Sequence, residues 1–258
     1  MFIRYASRRP RFFSTELFHD SQSGLTLTRV DPRSVRIHEL SSLRASASQL
    51  ALLSRVRPSS CAIDVARARG PCEGVLLSAQ WPPGAGAAKS LTDAGVGEAS
   101  VSVASPKAEH VRAGCAAIRA VVAAKLRVRV EVSDAWSAPP SEIEDAVARL
   151  ADAGANVITL VDGDAAGADE DAIRDAIERA LNLDVAGDVL MERLSVRTRS
   201  AETVAAALDA GVTRLDADAT GLVAVRPRII IDLAGARNRR VLPRVDETQL
   251  DAWVAAVA

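Results

Sequence analysis

Three segments decide how this chain of 258 residues is read: Leu91-Thr92-Asp93-Ala94-Gly95-Val96-Gly97-Glu98-Ala99-Ser100-Val101-Ser102-Val103, Leu150-Ala151-Asp152-Ala153-Gly154-Ala155-Asn156-Val157-Ile158-Thr159-Leu160, and Ala207-Leu208-Asp209-Ala210-Gly211-Val212-Thr213-Arg214-Leu215-Asp216-Ala217. Each ends an Ala-rich helical pattern with Asp-Ala-Gly and passes directly into a β-type run. The glycine at that junction reads as a left-handed helix cap, because a missing Cβ removes the steric penalty of positive φ. Gly95, Gly154 and Gly211 are spaced by 59 and 57 residues, and each interval accommodates two βα units.

Working outward from these junctions, β-type runs are expected at 35–40, 61–65, 74–79, 99–104, 126–132, 156–161, 193–196 and 212–217. Helical patterns occupy 49–56, 86–94, 107–124, 141–153, 170–181, 201–210 and 247–257. Eight alternating units in one domain predict an α/β fold, a (β/α)8 TIM-type barrel over 34–258, with a doubly wound parallel sheet as the alternative. The third unit is short, so an abbreviated helix is expected there. The barrel interior is expected to hold Val, Ile, Leu and Ala alone, with any chemistry just beyond the C-terminal ends of the strands.

Charge and composition exclude several classes. Lys+Arg 32 against Asp+Glu 33 leaves a net −1, without the positive excess that holds a nucleic-acid backbone. No uncharged apolar run is long enough to span a membrane. Cys61, Cys72 and Cys115 are odd in number and contain no C-x-x-C, so they read as reduced thiols. All four Phe and the only Tyr lie in the first 18 residues, and residues 1–15 carry Arg4, Arg8, Arg9 and Arg11 with no acid. That mixture reads as a mitochondrial targeting segment, with a basic surface arm as the alternative. Without those four arginines the remainder carries −5, which argues against a ribosomal-RNA role. Residues 1–33 are therefore set apart as a targeting segment or extended arm, ending in a polar linker near 20–33. If the arm is retained, Phe12, Phe13 and Phe18 are its candidate interface anchors.

Generic site motifs fail. In Pro83-Gly84-Ala85-Gly86-Ala87-Ala88-Lys89-Ser90, Pro83 and Ala88 stand where a phosphate loop needs glycine, and Lys89 stands where a dinucleotide fingerprint needs its third. His38-Glu39 lacks a second His four residues on. His19, His38 and His110 are scattered, and each reads as a surface or satisfied structural histidine.

The second half carries a sharper signal. The segment Ala153 to Asp162, then Leu194-Ser195-Val196-Arg197-Thr198-Arg199, then Ala210 to Leu222 resembles the 3-hydroxy-3-methylglutaryl-CoA lyase family, mitochondrial metal-dependent (β/α)8 lyases of the DRE-TIM type. More weakly, Val35-Arg36-Ile37-His38-Glu39-Leu40 is similar to that family's first strand. The resemblance implies a catalytic Arg and a metal-binding Asp three residues and more beyond Glu39, where this chain has Leu43 and Arg44. It implies a His-x-His metal pair where this chain has Arg197 and Arg199, and a catalytic Cys where it has Val225. Asp162 matches the family's Gly-Asp-Thr aspartate, and Asn238 lies near its last metal-ligand Asn. Guanidinium stays protonated and offers a cation no lone pair.

These departures lead to the expectation of no catalytic residue, no metal and no cofactor, with the arginines pairing with Asp162, Asp164, Asp216 and Asp218 at the barrel mouth. The function expected is that of a catalytically inactive lyase-like protein, a structural or accessory subunit of a mitochondrial protein assembly, respiratory-chain rather than ribosomal, in the matrix or on the matrix side of the inner membrane. Its partners would be other protein subunits. The alternative is a binder or weak enzyme that takes an acyl-CoA or another anionic ligand at an Arg-lined mouth.

Overall fold

The computed structural model describes residues 17–19, 26–28, 33–56, 58–66, 75–82, 87–163, 170–185, 188–189, 192–242 and 247–257. Contacts divide the chain between Pro32 and Arg33. In the first unit, Leu17–His19 pairs antiparallel with Thr26–Thr28. That second strand falls where the sequence reads as a polar linker, so the linker is partly structured. Phe12 and Phe13 lie outside the described residues, as does Cys72. Cys61 and Cys115 are buried free thiols.

From Ser34 the strands close into a ring. They are β1 (Ser34–Glu39), β2 (Ser60–Ala62), β3 (Leu76–Gln80), β4 (Glu98–Val103), β5 (Arg127–Val132), β6 (Val157–Val161), β7 (Leu194–Arg197) and β8 (Arg214–Ala217). Each pairs in parallel with the next, and β8 pairs back onto β1. The registers, carried once round, leave a shift of eight residues, the shear of a (β/α)8 barrel. The doubly wound alternative is thereby excluded, since such a sheet stays open.

Around the ring lie α1 (Ala47–Val56), α2 (Ala87–Asp93), α3 (Ala108–Ala123), α4 (Pro140–Asp152), α5 (Glu170–Leu181), α6 (Ala201–Ala210), α7 (Pro227–Ala236) and α8 (Glu247–Val257). The helix of the third unit, α2, has 7 residues and is the short one expected. Gly95, Gly154 and Gly211 take φ of 77°, 107° and 103°, as the caps require. No helical pattern is legible over α7. Its run Ile229-Ile230-Ile231 looks like strand, yet Pro227 stands in the first turn, where its fixed φ suits a helix start. Among the described residues no helix is long and apolar enough to cross a membrane.

The interior departs from expectation. Apolar residues of the strands pack outward against the helices: Val128, Val130 and Val132 on β5, Ile158 and Leu160 on β6, and Leu194 and Val196 on β7 are buried in the main core with Ile118, Val147, Leu150 and Ile177 of the helices. Each such side chain contributes roughly 1.5–3 kcal/mol. The alternate residues face the lumen and are mostly polar or charged. A shear of eight over eight strands puts residues from alternate strands at equal height, so one layer is His38, Ser78, Arg129 and Ser195. The layer above is Ala62, Ser100, Thr159 and Asp216, and the layer below is Ser60, Glu98, Val157 and Arg214. An apolar filling was expected because TIM-type interiors usually have one. Here polar and charged side chains occupy much of the space, with Arg129 paired to Glu98 and Asp216.

Candidate functional site

Arg129 is the centre of the lumen. It is 1% exposed and donates from Nε to Glu98 Oε1 at 2.9 Å, and from one terminal nitrogen to Thr159 Oγ1 at 3.0 Å and Asp216 Oδ1 at 3.3 Å. Burial opposes its charge, but Glu98 and Asp216 outweigh burial and raise its pKa. Burial likewise opposes the Glu98 carboxylate, and Arg129 turns the balance to a lowered pKa. Ser195 Oγ adds a bond to Asp216 Oδ1 at 2.9 Å.

His38 corrects the reading of a surface or fully satisfied histidine. It is 3% exposed, and its Nδ1 shares a hydrogen bond with Ser60 Oγ at 2.7 Å. Its Nε2 is buried without a partner among the described residues, and so is the hydroxyl of Ser78 in the same layer. Burial first, and Arg129 second, hold its pKa well below the usual imidazole range, so the ring is neutral.

The mouth is built on the C-terminal ends of the strands. Arg197, closing β7, lies between two carboxylates. Its Nη1 and Nη2 donate to Glu131 Oε2 and Oε1 at 3.0 and 2.7 Å, and its Nε donates to Asp216 Oδ2 at 3.0 Å. Burial works against this charge, but Asp216 and Glu131 outweigh burial and raise the pKa. Arg44, on the 3-10 turn Ser41–Arg44 after β1, donates from Nη2 to Asp218 Oδ1 at 2.8 Å and Thr220 Oγ1 at 2.7 Å. Asp218 in turn accepts from the backbone amides of Thr220, Leu222 and Val223 at 3.0, 3.2 and 3.1 Å, which ties down the loop after β8.

The remaining expected positions divide. Asp162 accepts from the hydroxyl of Thr198 at 2.9 Å, where an arginine was expected. Val225 is buried, and its amide donates to the Thr198 carbonyl at 2.8 Å; its side chain supplies no nucleophile. Leu43 is 42% exposed and borders a cavity of about 620 Å³ together with Arg44, Ile63, Asp64, Gln80 and Leu91. Arg199 is exposed. Asn238 is not at the mouth. It follows the C-terminal end of α7 with φ 54°, next to Arg240, whose strand pairs with the start of β1, so it belongs to the opposite end of the barrel. Asp164 and residues 83–86 lie outside the described residues.

Sequence reasoning missed Glu131 and Glu98. The signal was present, since Arg127-Val128-Arg129-Val130-Glu131-Val132 alternates strictly with period 2, marking one apolar and one charged face. Glu39 is buried beneath the mouth and accepts from the amides of Ser41 and Ala219, both at 3.0 Å. Ser41 Oγ also takes the Trp253 indole N–H at 2.9 Å, anchoring α8. Burial pushes the Glu39 carboxyl up to about 7, against the hydrogen bonds from Ser41 and Ala219.

The donors present do not fit the divalent cation that the lyase resemblance implies. Among the described residues no group of three His, Cys, Asp or Glu could hold one, and Glu131 and Asp216 are already bridged by the guanidinium of Arg197.

No protein-family model matches the chain, and no curated protein matches its sequence. Solved structures do match. The carboxyl transferase domain of Rhizobium etli pyruvate carboxylase with pyruvate and biocytin is similar over 87% of this chain and 47% of its own, with a TM-score of 0.63 and 14% identity. The same domain with oxamate and biotin gives 0.66 at 14% identity over the same shares. Pyruvate carboxylase from that organism with acetyl coenzyme-A gives 0.63, covering 87% of this chain and 25% of that one. The chain thus spans about half the length of the carboxyl transferase domains it matches. At this identity the likeness shows the fold alone, a (β/α)8 TIM-type barrel.

Proposed function

We propose that this barrel carries out neither lyase nor carboxyl-transfer chemistry, and that it serves as a structural accessory subunit of a mitochondrial protein assembly, respiratory rather than ribosomal. The observation that carries this reading is Arg197 bridging Glu131 and Asp216. A permanently charged side chain neutralises the mouth, where metal-dependent chemistry needs a Lewis acid with open positions for substrate oxygens. Val225 and Leu43 stand where the lyase resemblance implies a sulfur nucleophile and an arginine, so neither group can act. The basic, aromatic residues 1–15 support a mitochondrial address, and the −5 of the remainder supports a partner other than RNA.

One observation favours a second reading, an anionic small-molecule binder at the mouth: the cavity of about 620 Å³ beside Arg44. An acyl-CoA is the candidate ligand. Titration calorimetry with acyl-CoAs, with Mn²⁺, and with pyruvate and biotin separates the two. The accessory-subunit reading expects no saturable binding and co-migration with one defined assembly when a native mitochondrial extract is fractionated. Migration as a free monomer, or turnover of any of these compounds, overturns it.

A further inference from the structure

Among the described residues, the opposite end of the barrel gathers more arginines than carboxylates. Arg36 on β1 and Arg214 on β8 are register partners, and both project into the lumen. Arg127 on β5 shares the level of Arg36, and Arg193 and Glu192 flank the start of β7. Among the described residues, the carboxylates facing them are Glu98 and Glu192. Glu98 Oε1 is taken by Arg129 at 2.9 Å, and Glu98 Oε2 lies 3.9 Å from Arg127 Nε, too far for a hydrogen bond. Arg214 donates through Nε to the Glu192 carbonyl at 2.5 Å, and Glu192 is the acid whose field reaches Arg36. No side-chain hydrogen bond joins Arg36 or Arg127 to a described residue. Arg36 and Arg214 are partly buried, whereas the Arg127 side chain is 50% exposed, so the cluster opens to solvent at the end of the barrel.

We propose that this N-terminal end binds a small tetrahedral oxyanion, inorganic phosphate in class, between the guanidinium groups of Arg36, Arg127 and Arg214. Planar forks with idle N–H donors match a phosphate bidentately, and its charge relieves the repulsion among the arginines. That repulsion is visible in the groups themselves: burial, then Arg36 and Arg129, lower the Arg214 pKa to about 10, and burial, with Arg127 adding to it, lowers that of Arg36 in spite of Glu192. The site lies across the lumen from the mouth and does not depend on the function proposed for it.

The test follows thermal unfolding of the full chain against inorganic phosphate, with ionic strength held constant by chloride. The expected result is a saturable rise in Tm, with apparent affinity weakened about tenfold in Arg36→Gln and in Arg214→Gln and unchanged in the surface control Arg179→Gln. Without phosphate, Arg36→Gln is at least as stable as the parent, because it removes a like charge. Should either buried variant fail to fold, the half-exposed Arg127→Gln gives the same reading. A phosphate response no larger than that of chloride, an equal loss in Arg179→Gln, or a less stable Arg36→Gln in phosphate-free buffer overturns the proposal.

Discussion

Arg129 on β5 and Asp216 on β8 meet across the barrel lumen at 3.3 Å, both fully buried. The contact links opposite walls of the cylinder, three strands apart in the ring. A charge pair in that position is retained by the lack of any alternative: once the walls close, neither ion has water to return to, and removing one strands the other.

Arg129→Met is therefore expected to destabilise the protein by about 3–5 kcal/mol, since it leaves Glu98 and Asp216 buried without their counter-ion. Adding Glu98→Gln and Asp216→Asn to that variant is expected to recover part of the loss, because the stranded carboxylates become neutral. Urea unfolding of the single and triple variants measures both. Equal stability of Arg129→Met and the parent would show the network to be energetically idle.

Arg197→Ala sets Glu131 and Asp216 against each other at the mouth. We expect a loss of about 3 kcal/mol, partly restored by millimolar Mn²⁺, because the two carboxylates then offer a cation what the guanidinium took. The parent protein is expected to gain nothing from Mn²⁺. Tm measured with and without the metal decides it, and a parent that responds as strongly as the variant contradicts the view of Arg197 as the resident cation.

Glu39 gives a pH dependence. Its pKa is raised from 4.5 to about 7 by burial, so the folded state holds the proton more tightly than the unfolded chain does. Its contribution is fully present below pH 4.5 and is lost as the pH rises to about 7, on the order of 3 kcal/mol across the window. Glu39→Gln keeps an acceptor for Ser41 and Ala219 and removes the titration. The difference in stability between parent and variant, followed from pH 4 to 8, should move in favour of the variant as the pH rises; a flat difference refutes the assignment.

Gly154 and Gly211 share a cap conformation but not their surroundings. An added Cβ at Gly211 meets nothing closer than 3.9 Å, while at Gly154 it meets Val122 Cγ2 at 3.0 Å. Gly211→Ala is expected to cost about 1–2 kcal/mol from backbone strain alone, and Gly154→Ala more. Denaturation midpoints of the pair test the order.

The buried Nε2 of His38 and hydroxyl of Ser78 face one lumen layer without partners among the described residues. Buried polar groups of this kind are ordinarily satisfied by internal water, and a high-resolution crystal structure should show at least one ordered water there. Dry density at both atoms would be evidence against it.

The sequence alone determined eight alternating βα units with a barrel as the leading reading, because its signals are local. Asp-Ala-Gly caps, β-type runs and helical periodicity each act within about ten residues, and the eight runs they mark are the eight strands. It also supplied the expectation, carried by the resemblance, that Arg44 and Arg197 stand at metal-ligand positions. The helix over Pro227–Ala236 escaped because three consecutive isoleucines carry no helical period. What tertiary structure decided is which face of each strand looks inward. The alternation of Arg127 to Val132 is equally compatible with either assignment until the ring closes. Only then do Glu98, Arg129 and Asp216, separated by 31 and 87 residues along the chain, become one ion network, Glu131 and Asp216 become the partners of Arg197, and Asn238 fall at the far end from the mouth. Such pairings depend on register and shear, which are properties of the closed sheet and of no segment within it.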